Sequence, residues 1–170
     1  MSSEKRKIVS SQHLATEDGW QLSEFEFGLT VVHNAFQKWL VKCAAAAGQA
    51  DLSAMEVLVL HNVNHRDSEK RRVDISFLLN IEDTHTVTYA LKKLVGLGLL
   101  EKDKRGKEIF YTTSKTGKAL CEEYRAIREQ CLVTGLKSLG QSGTDLSDQA
   151  ESLRALSGLY DQAARAAASL

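Results

Sequence analysis

The 170-residue sequence contains no proline. Proline interrupts helix interiors, so its absence fits a mostly helical chain, although strands avoid it too. Cysteine is scarce. Cys43, Cys121 and Cys131 are odd in number and form no C-x-x-C pair, which argues against a disulfide framework or a zinc ribbon. Long apolar runs are missing: none reaches the roughly 18 residues of a membrane helix. The polar start, Met1 to Gln12, has no apolar core of a signal peptide. The cytoplasm is therefore the expected compartment, with no membrane partner. The nucleophile elbow G-x-S-x-G, the P-loop and the dinucleotide fingerprint are also missing. Nothing asks for an enzyme, a catalytic residue, a resident metal or a cofactor.

Net charge is zero as well, which at first sight argues against a nucleic-acid partner. Its distribution argues the other way. Residues 66–118 hold twelve Lys/Arg against eight Asp/Glu, a surplus of four cations. Residues 1–65 and 119–170 each hold five against seven, a deficit of two. A polyanion responds to the field at the docking face rather than to the total. With 43% apolar residues, the chain can bury a core without cross-links.

Residues 1–21 read as a flexible N-terminal arm. Ser23 and Glu26 have the spacing of a capping box, with Leu22 and Phe27 as its hydrophobic staple. Phe25, Leu29, Val32, Phe36, Trp39, Leu40 and Cys43 then recur at steps of three and four, one long helical stripe stopped by Gly48. The stripe is longer than a small neighbour covers, so residues 22–50 are expected to pair with a partner chain. Leu52, Ser53, Glu56 and Val57 repeat the start signal for a helix to about His65. Residues 65–72 read as a loop. Asp74 is the expected N-cap of a short helix with Ile75, Leu78 and Leu79 on its inner face. Asn80 to Asp83 make a tight turn into a second helix, whose inner face is Val87, Ala90, Leu91 and Leu94. The period then changes. Leu99–Lys104 and Lys107–Thr113 are strand candidates around Arg105-Gly106. Ser114 can cap a long helix with Leu120, Tyr124, Ile127, Cys131, Leu136 and Leu139 inward, broken at Gly140 to Gly143. From about Leu146 a last helix presents Leu153, Leu156, Tyr160, Ala163, Ala167 and Leu170.

The expected class is thus mainly α with a small β-hairpin wing. Residues 51–113 form a winged helix-turn-helix, and residues 22–50 and 114–170 form dimerisation helices. Phe25, Leu29, Val32, Phe36, Trp39, Leu153, Leu156 and Tyr160 are the expected dimer contacts. The helix beginning at Thr84 turns His85, Thr86, Thr88, Tyr89, Lys92 and Lys93 outward. Hydroxyls, imidazole and an aromatic ring near its start suit base edges and thymine methyls, and the lysines suit phosphates. Lys102, Lys104, Arg105 and Lys107 make the ribbon tip basic, as a minor-groove or backbone contact requires.

These segments resemble the multiple-antibiotic-resistance regulator (MarR) family. The resemblance runs through Leu52-Ser53-Ala54-Met55-Glu56-Val57-Leu58-Val59-Leu60, Asp74-Ile75-Ser76-Phe77-Leu78-Leu79 and Asp83 to Leu94. It continues through Gly98-Leu99-Leu100-Glu101-Lys102 and ends near Thr112 to Gly117, covering roughly residues 25–135. It implies a homodimer whose two lobes read a pseudo-palindromic duplex in adjacent major grooves. In many members a small aromatic effector weakens DNA binding. The family's wing carries Asp-x-Arg in a longer loop, and the short turn Lys104-Arg105-Gly106-Lys107 reads as a departure from it.

Plainer readings stand beside these. The outward face of the second helix would also suit a winged helix that binds protein instead of DNA, and the basic turn could be an ordinary solvated hairpin. His61 and His65 have i, i+4 metal spacing, but no third ligand accompanies them, which favours a structural role. Cys43 and Cys131 lie on apolar stripes, which favours inert burial over redox sensing. Phe36 and Trp39 suit packing better than an effector pocket.

Overall fold

The computed structural model describes residues 19–138 and 143–170. They divide into two compact units, one ending at Arg125 and the other covering 126–170.

In the first unit, α1 (Trp20–Ala46) begins earlier than its sequence signals suggest. Gly19 is the N-cap, and Ser23 lies buried within the helix, its N–H donating to the Gly19 carbonyl at 3.4 Å. A capping box needs a non-helical first residue, so Ser23 and Glu26 do not form one here. Leu22 and Phe27 are exposed rather than stapled. Residues 1–18 of the expected arm lie outside the described residues, and Trp20 and Gln21 are already helical. At the other end Gly48, at φ 99°, supplies the expected stop, and Gln49 N–H reaches back to the Ala44 carbonyl at 2.9 Å.

The second start signal holds. α2 (Ala54–Asn64) has Ser53 as its N-cap, accepting from Glu56 N–H at 3.3 Å. The Glu56 carboxylate accepts from Ser53 N–H at 2.7 Å, and Leu52 and Val57 are both buried. The expected loop at 65–72 is partly ordered. A 3-10 turn, His65–Asp67, carries Arg66 and Asp67 at positive φ and leads into a two-residue strand, β1 (Lys70–Arg71). The next helix, α3 (Arg72–Leu78), is capped by Arg71. Asp74 stands at its third position and accepts from Arg71 N–H at 3.0 Å, so it closes the first turn rather than opening it. Ile75 is buried and Leu79 half-buried, but Leu78 is 60% exposed, against its expected inward place. Asn80, at φ 51°, makes the turn.

α4 (Thr84–Gly96) comes next, with Asp83 as its N-cap and Val87, Ala90, Leu91 and Leu94 buried as their spacing requires. β2 (Leu100–Arg105) and β3 (Glu108–Thr113) pair antiparallel, with Arg105 opposite Glu108. The turn is Gly106-Lys107, one residue later than the sequence suggested. Gly106 supplies the positive φ, 62°, that a two-residue hairpin demands. β1 adds to the free edge of β3, so the sheet has three strands in the order β1-β3-β2.

α5 (Lys115–Arg128) starts where Ser114 was expected to cap it: Ser114 Oγ accepts from Gly117 N–H at 3.0 Å and donates to the Gly98 carbonyl at 2.6 Å. Leu120, Cys121 and Tyr124 close the core formed by Cys43, Val57, Leu60, Val63, Leu91, Leu94 and Leu99. The Cys43 thiol donates to the Tyr124 carbonyl at 3.6 Å.

In the second unit α5 gives way to a π-helical segment, Glu129–Val133, and then to α6 (Thr134–Ser138), so the expected single helix is interrupted. Cys131, inside the π-helical segment, is exposed, contrary to its place on the expected stripe. Leu139 and the break at 140–142 lie outside the described residues. α7 (Gly143–Ala167) starts three residues before Leu146 and buries none of its described side chains. Leu156 and Tyr160 are half-buried, and Leu153 is 46% exposed.

Candidate nucleic-acid interface

The core side of α4 fixes its other side toward solvent. Leu91, Val87 and Leu94 are fully buried, so the positions opposite them on the helical wheel face out. His85 is exposed, Tyr89 is 68% exposed, and the Lys92 ammonium sits 5.8 Å from the Tyr89 ring centroid. Asp83 locks the start of the helix. Its carboxylate accepts from His85 N–H at 2.9 Å and from the Thr86 hydroxyl at 2.9 Å, and these bonds, the His85 one foremost, hold it below the usual carboxylate range. Thr88 Oγ1 donates to the Thr84 carbonyl at 2.7 Å. Both threonine hydroxyls thus spend their proton inside the helix start and face a ligand chiefly as acceptors. Thr84 itself is exposed at the first helical position.

The sequence-predicted residues divide into three groups in space. His85, Tyr89 and Lys92 form the exposed crest of α4. Thr88 and Lys92 also line a cleft of about 340 Å³ toward the wing, shared with Arg72 and Val73 of α3 and with Lys107 and Tyr111 of the ribbon. Burial raises the Tyr111 phenol above its ordinary value, and Arg72 opposes that shift. Lys93 lies apart from both. It is salt-bridged to Glu56 of α2 at 2.9 Å.

The wing is more firmly built than a solvated hairpin requires. Arg105 donates to both carboxylate oxygens of Glu69, at 2.9 and 2.6 Å, and to Asp103 at 2.7 Å, and its guanidinium lies 4.8 Å from the Phe110 ring centroid. Those carboxylates raise the Arg105 pKa further. Asp103-Lys104-Arg105 is itself an Asp-x-Arg sequence, which the reading of the turn alone passed over, and it lies at the end of β2 before a two-residue turn and not in a longer loop. Lys104 and Lys107 are exposed and make no salt bridge among the described residues.

Arg71 and Arg72 were missed as contributors because the run Lys70-Arg71-Arg72 read as a loop. Arg71 bridges Asp74 at 3.0 Å and Glu108 at 2.8 Å, joining the start of α3 to the wing. The signal was present in that run of cations, but its pairing with β3 is a long-range register that local pattern does not encode.

The other candidates separate cleanly. His61 packs edge-on against Tyr124, with ring centroids 4.4 Å apart, and its burial lowers its pKa, whereas His65 is exposed at the helix end. Among the described residues, no group of three or more His, Cys, Asp or Glu could hold a metal ion. Cys43 and Cys121 are buried, and burial pushes the Cys121 thiol up to about 11. No described helix is long and apolar enough to cross a membrane.

Residues 52–117 match the family described as a winged helix DNA-binding domain. No curated protein matches the sequence. Among solved structures, a MarR family regulator from Neisseria meningitidis is 19% identical, with a TM-score of 0.66 over 84% of this chain and 95% of that one. A mutant of MarR from E. coli complexed with operator DNA is 16% identical, with a TM-score of 0.65 over 83% of this chain and 99% of that one. A MarR transcriptional regulator from Methanosarcina mazei Go1 is 16% identical, with a TM-score of 0.64 over 89% and 98%. The chain is a winged-helix protein. Its fold is that of the MarR family regulators, as the sequence resemblance implied.

Proposed function

We propose that this protein is a transcription regulator that binds double-stranded DNA sequence-specifically as a homodimer. The observation that carries the reading is the uncovered crest of α4, with His85, Tyr89 and Lys92 free to enter a major groove beside a basic wing. Base preference then comes from Thr84, His85, Thr86, Thr88 and Tyr89, through hydroxyl and imidazole hydrogen bonds and ring contact with thymine methyls. Lys92, Lys104 and Lys107 neutralise phosphates, with Arg105 shaping the wing that presents them. Homodimerisation is supported by the uncovered apolar residues Phe25, Leu29, Val32 and Phe36 of α1 and by Leu153 of α7. Half-buried Trp39, Leu156 and Tyr160 extend those faces. A two-fold dimer places two α4 crests on successive grooves and calls for a pseudo-palindromic site. A small aromatic effector has a fitting place in the cleft beside α4, where Arg72 and Lys92 offer charge and Val73, Ile109 and Tyr111 offer apolar surface.

A winged helix that binds another protein is the competing reading. It is favoured by Phe77, 84% exposed on α3 next to exposed Leu78. Fluorescence anisotropy of the full chain with a random-sequence duplex separates the two. DNA binding gives micromolar affinity at low salt that weakens steadily as salt rises. No binding at any salt concentration favours the protein partner.

A further inference from the structure

We infer that Lys93 is a positioning residue that holds the recognition helix in place against α2, and not one of the phosphate contacts its exposed lysine neighbour makes. The inference rests on the DNA-binding reading proposed for this chain. The Lys93 ammonium donates to Glu56 Oε2 at 2.9 Å and to the Asp51 carbonyl at 2.5 Å, which occupies two of its three N–H donors. Glu56 is well enclosed: its side chain is 13% exposed, against 40% for Lys93. The same Glu56 oxygen accepts from Ser53 N–H at 2.7 Å. The Lys93–Glu56 pair therefore ties together the start of α2, the segment just before it at Asp51, and the second half of α4. Burial would raise the Glu56 pKa, but the bonds from Lys93 and Ser53 outweigh burial and leave it lowered, so the pair is ionised at neutral pH.

Lys93 is held toward α2 by its bonds to Glu56 and Asp51, although it stands next to Tyr89 on the helix surface. It stands seven residues, two turns, after Thr86 and so shares that residue's flank, where its ammonium reaches Glu56 of α2. Thr88 and Lys92, four residues apart, occupy the opposite flank and line the cleft toward the wing. Val87, Ala90, Leu91 and Leu94 seat the buried side of α4 in the core. The Lys93–Glu56 pair adds a charged tie on one flank, and the helix angle it helps set decides where His85 and Tyr89 meet the base edges.

The test compares Lys92→Met, Lys93→Met and Glu56→Gln in the full chain, using a random-sequence duplex and the consensus duplex that selection from a random pool yields. Lys92→Met is expected to lower the slope of log affinity against log salt by about 0.9, the signature of one phosphate contact. Lys93→Met is expected to leave that slope unchanged while reducing the consensus-to-random ratio by about fivefold or more, the scale of losing a partly enclosed charged hydrogen bond. Glu56→Gln should reproduce that loss, and the double variant should be no worse than either single one. A slope lowered by Lys93→Met as by Lys92→Met, or an unchanged ratio, overturns the inference. If the unmodified chain binds neither duplex, the DNA reading itself fails and the proposed role falls with it. Urea unfolding of the same proteins reports the tie separately: non-additive midpoints show that it forms in solution, and additive ones remove it.

Discussion

Single residues in this fold are constrained for reasons that a substitution can expose. Gly117 is the clearest. A Cβ built there would lie 2.1 Å from the Leu99 carbonyl oxygen and 2.8 Å from a Thr113 methyl, so the start of α5 can approach the end of the ribbon only without a side chain. Gly117→Ala is expected to lower stability by about 2 kcal/mol or more, as overpacking against backbone does, and the urea midpoint checks it. His61 makes a pH-dependent contribution. Its pKa in the folded state is lowered by burial, while the unfolded chain takes up a proton near the ordinary value of about 6.5. The unfolded state therefore binds more protons below that point, and stability falls as pH drops through it toward the folded value. The urea midpoint should decline between pH 7.5 and 5.5, and His61→Gln should flatten that decline.

At the level of elements, some local signals are self-sufficient and others are not. The capping box at Ser53 and Glu56 was legible because its partners lie within three residues and because Leu52 and Val57 both find a core. The same pattern at Ser23 and Glu26 misled, since α1 continues backward to Trp20 and carries Ser23 inside it. The inner face of α4 was readable from spacing alone, whereas the partner of Lys93 was not, because Glu56 stands thirty-seven residues away. β1 was invisible for a similar reason: two residues without alternation become a strand only by pairing with Phe110 and Tyr111. The wing carries this distinction into mutation. Arg105 is engaged by Glu69 and Asp103, and Lys107 is not engaged by any salt bridge among the described residues. Lys107→Ala should weaken binding to every duplex and lower the salt slope by about 0.9. Arg105→Ala should do less to the slope, because its charge is already compensated. Equal slopes for the two variants would contradict that division, and salt-dependent anisotropy reads both.

For the whole molecule, the pattern of uncovered apolar surface matters more than any one contact. α1 leaves Leu22, Phe25, Leu29, Val32 and Phe36 between 37% and 58% exposed, more apolar surface in one stripe than a monomer commonly shows. A homodimer that covers it should dissociate when charge is placed there. Val32→Glu with Phe36→Glu is expected to convert a dimer into a monomer by sedimentation. DNA affinity should fall with it, because two linked lobes bind more tightly than one. A variant that stays dimeric would place the interface elsewhere.

On the proposed reading the exposed crest of α4 meets base edges, and selection of bound sequences from a random duplex pool tests this most directly. The expected result is a two-fold symmetric consensus with half-sites about ten base pairs apart centre to centre, and loss of preference within each half-site for Tyr89→Ala. A pool that shows no enrichment, or a consensus that Tyr89→Ala and His85→Ala leave unchanged, would contradict it.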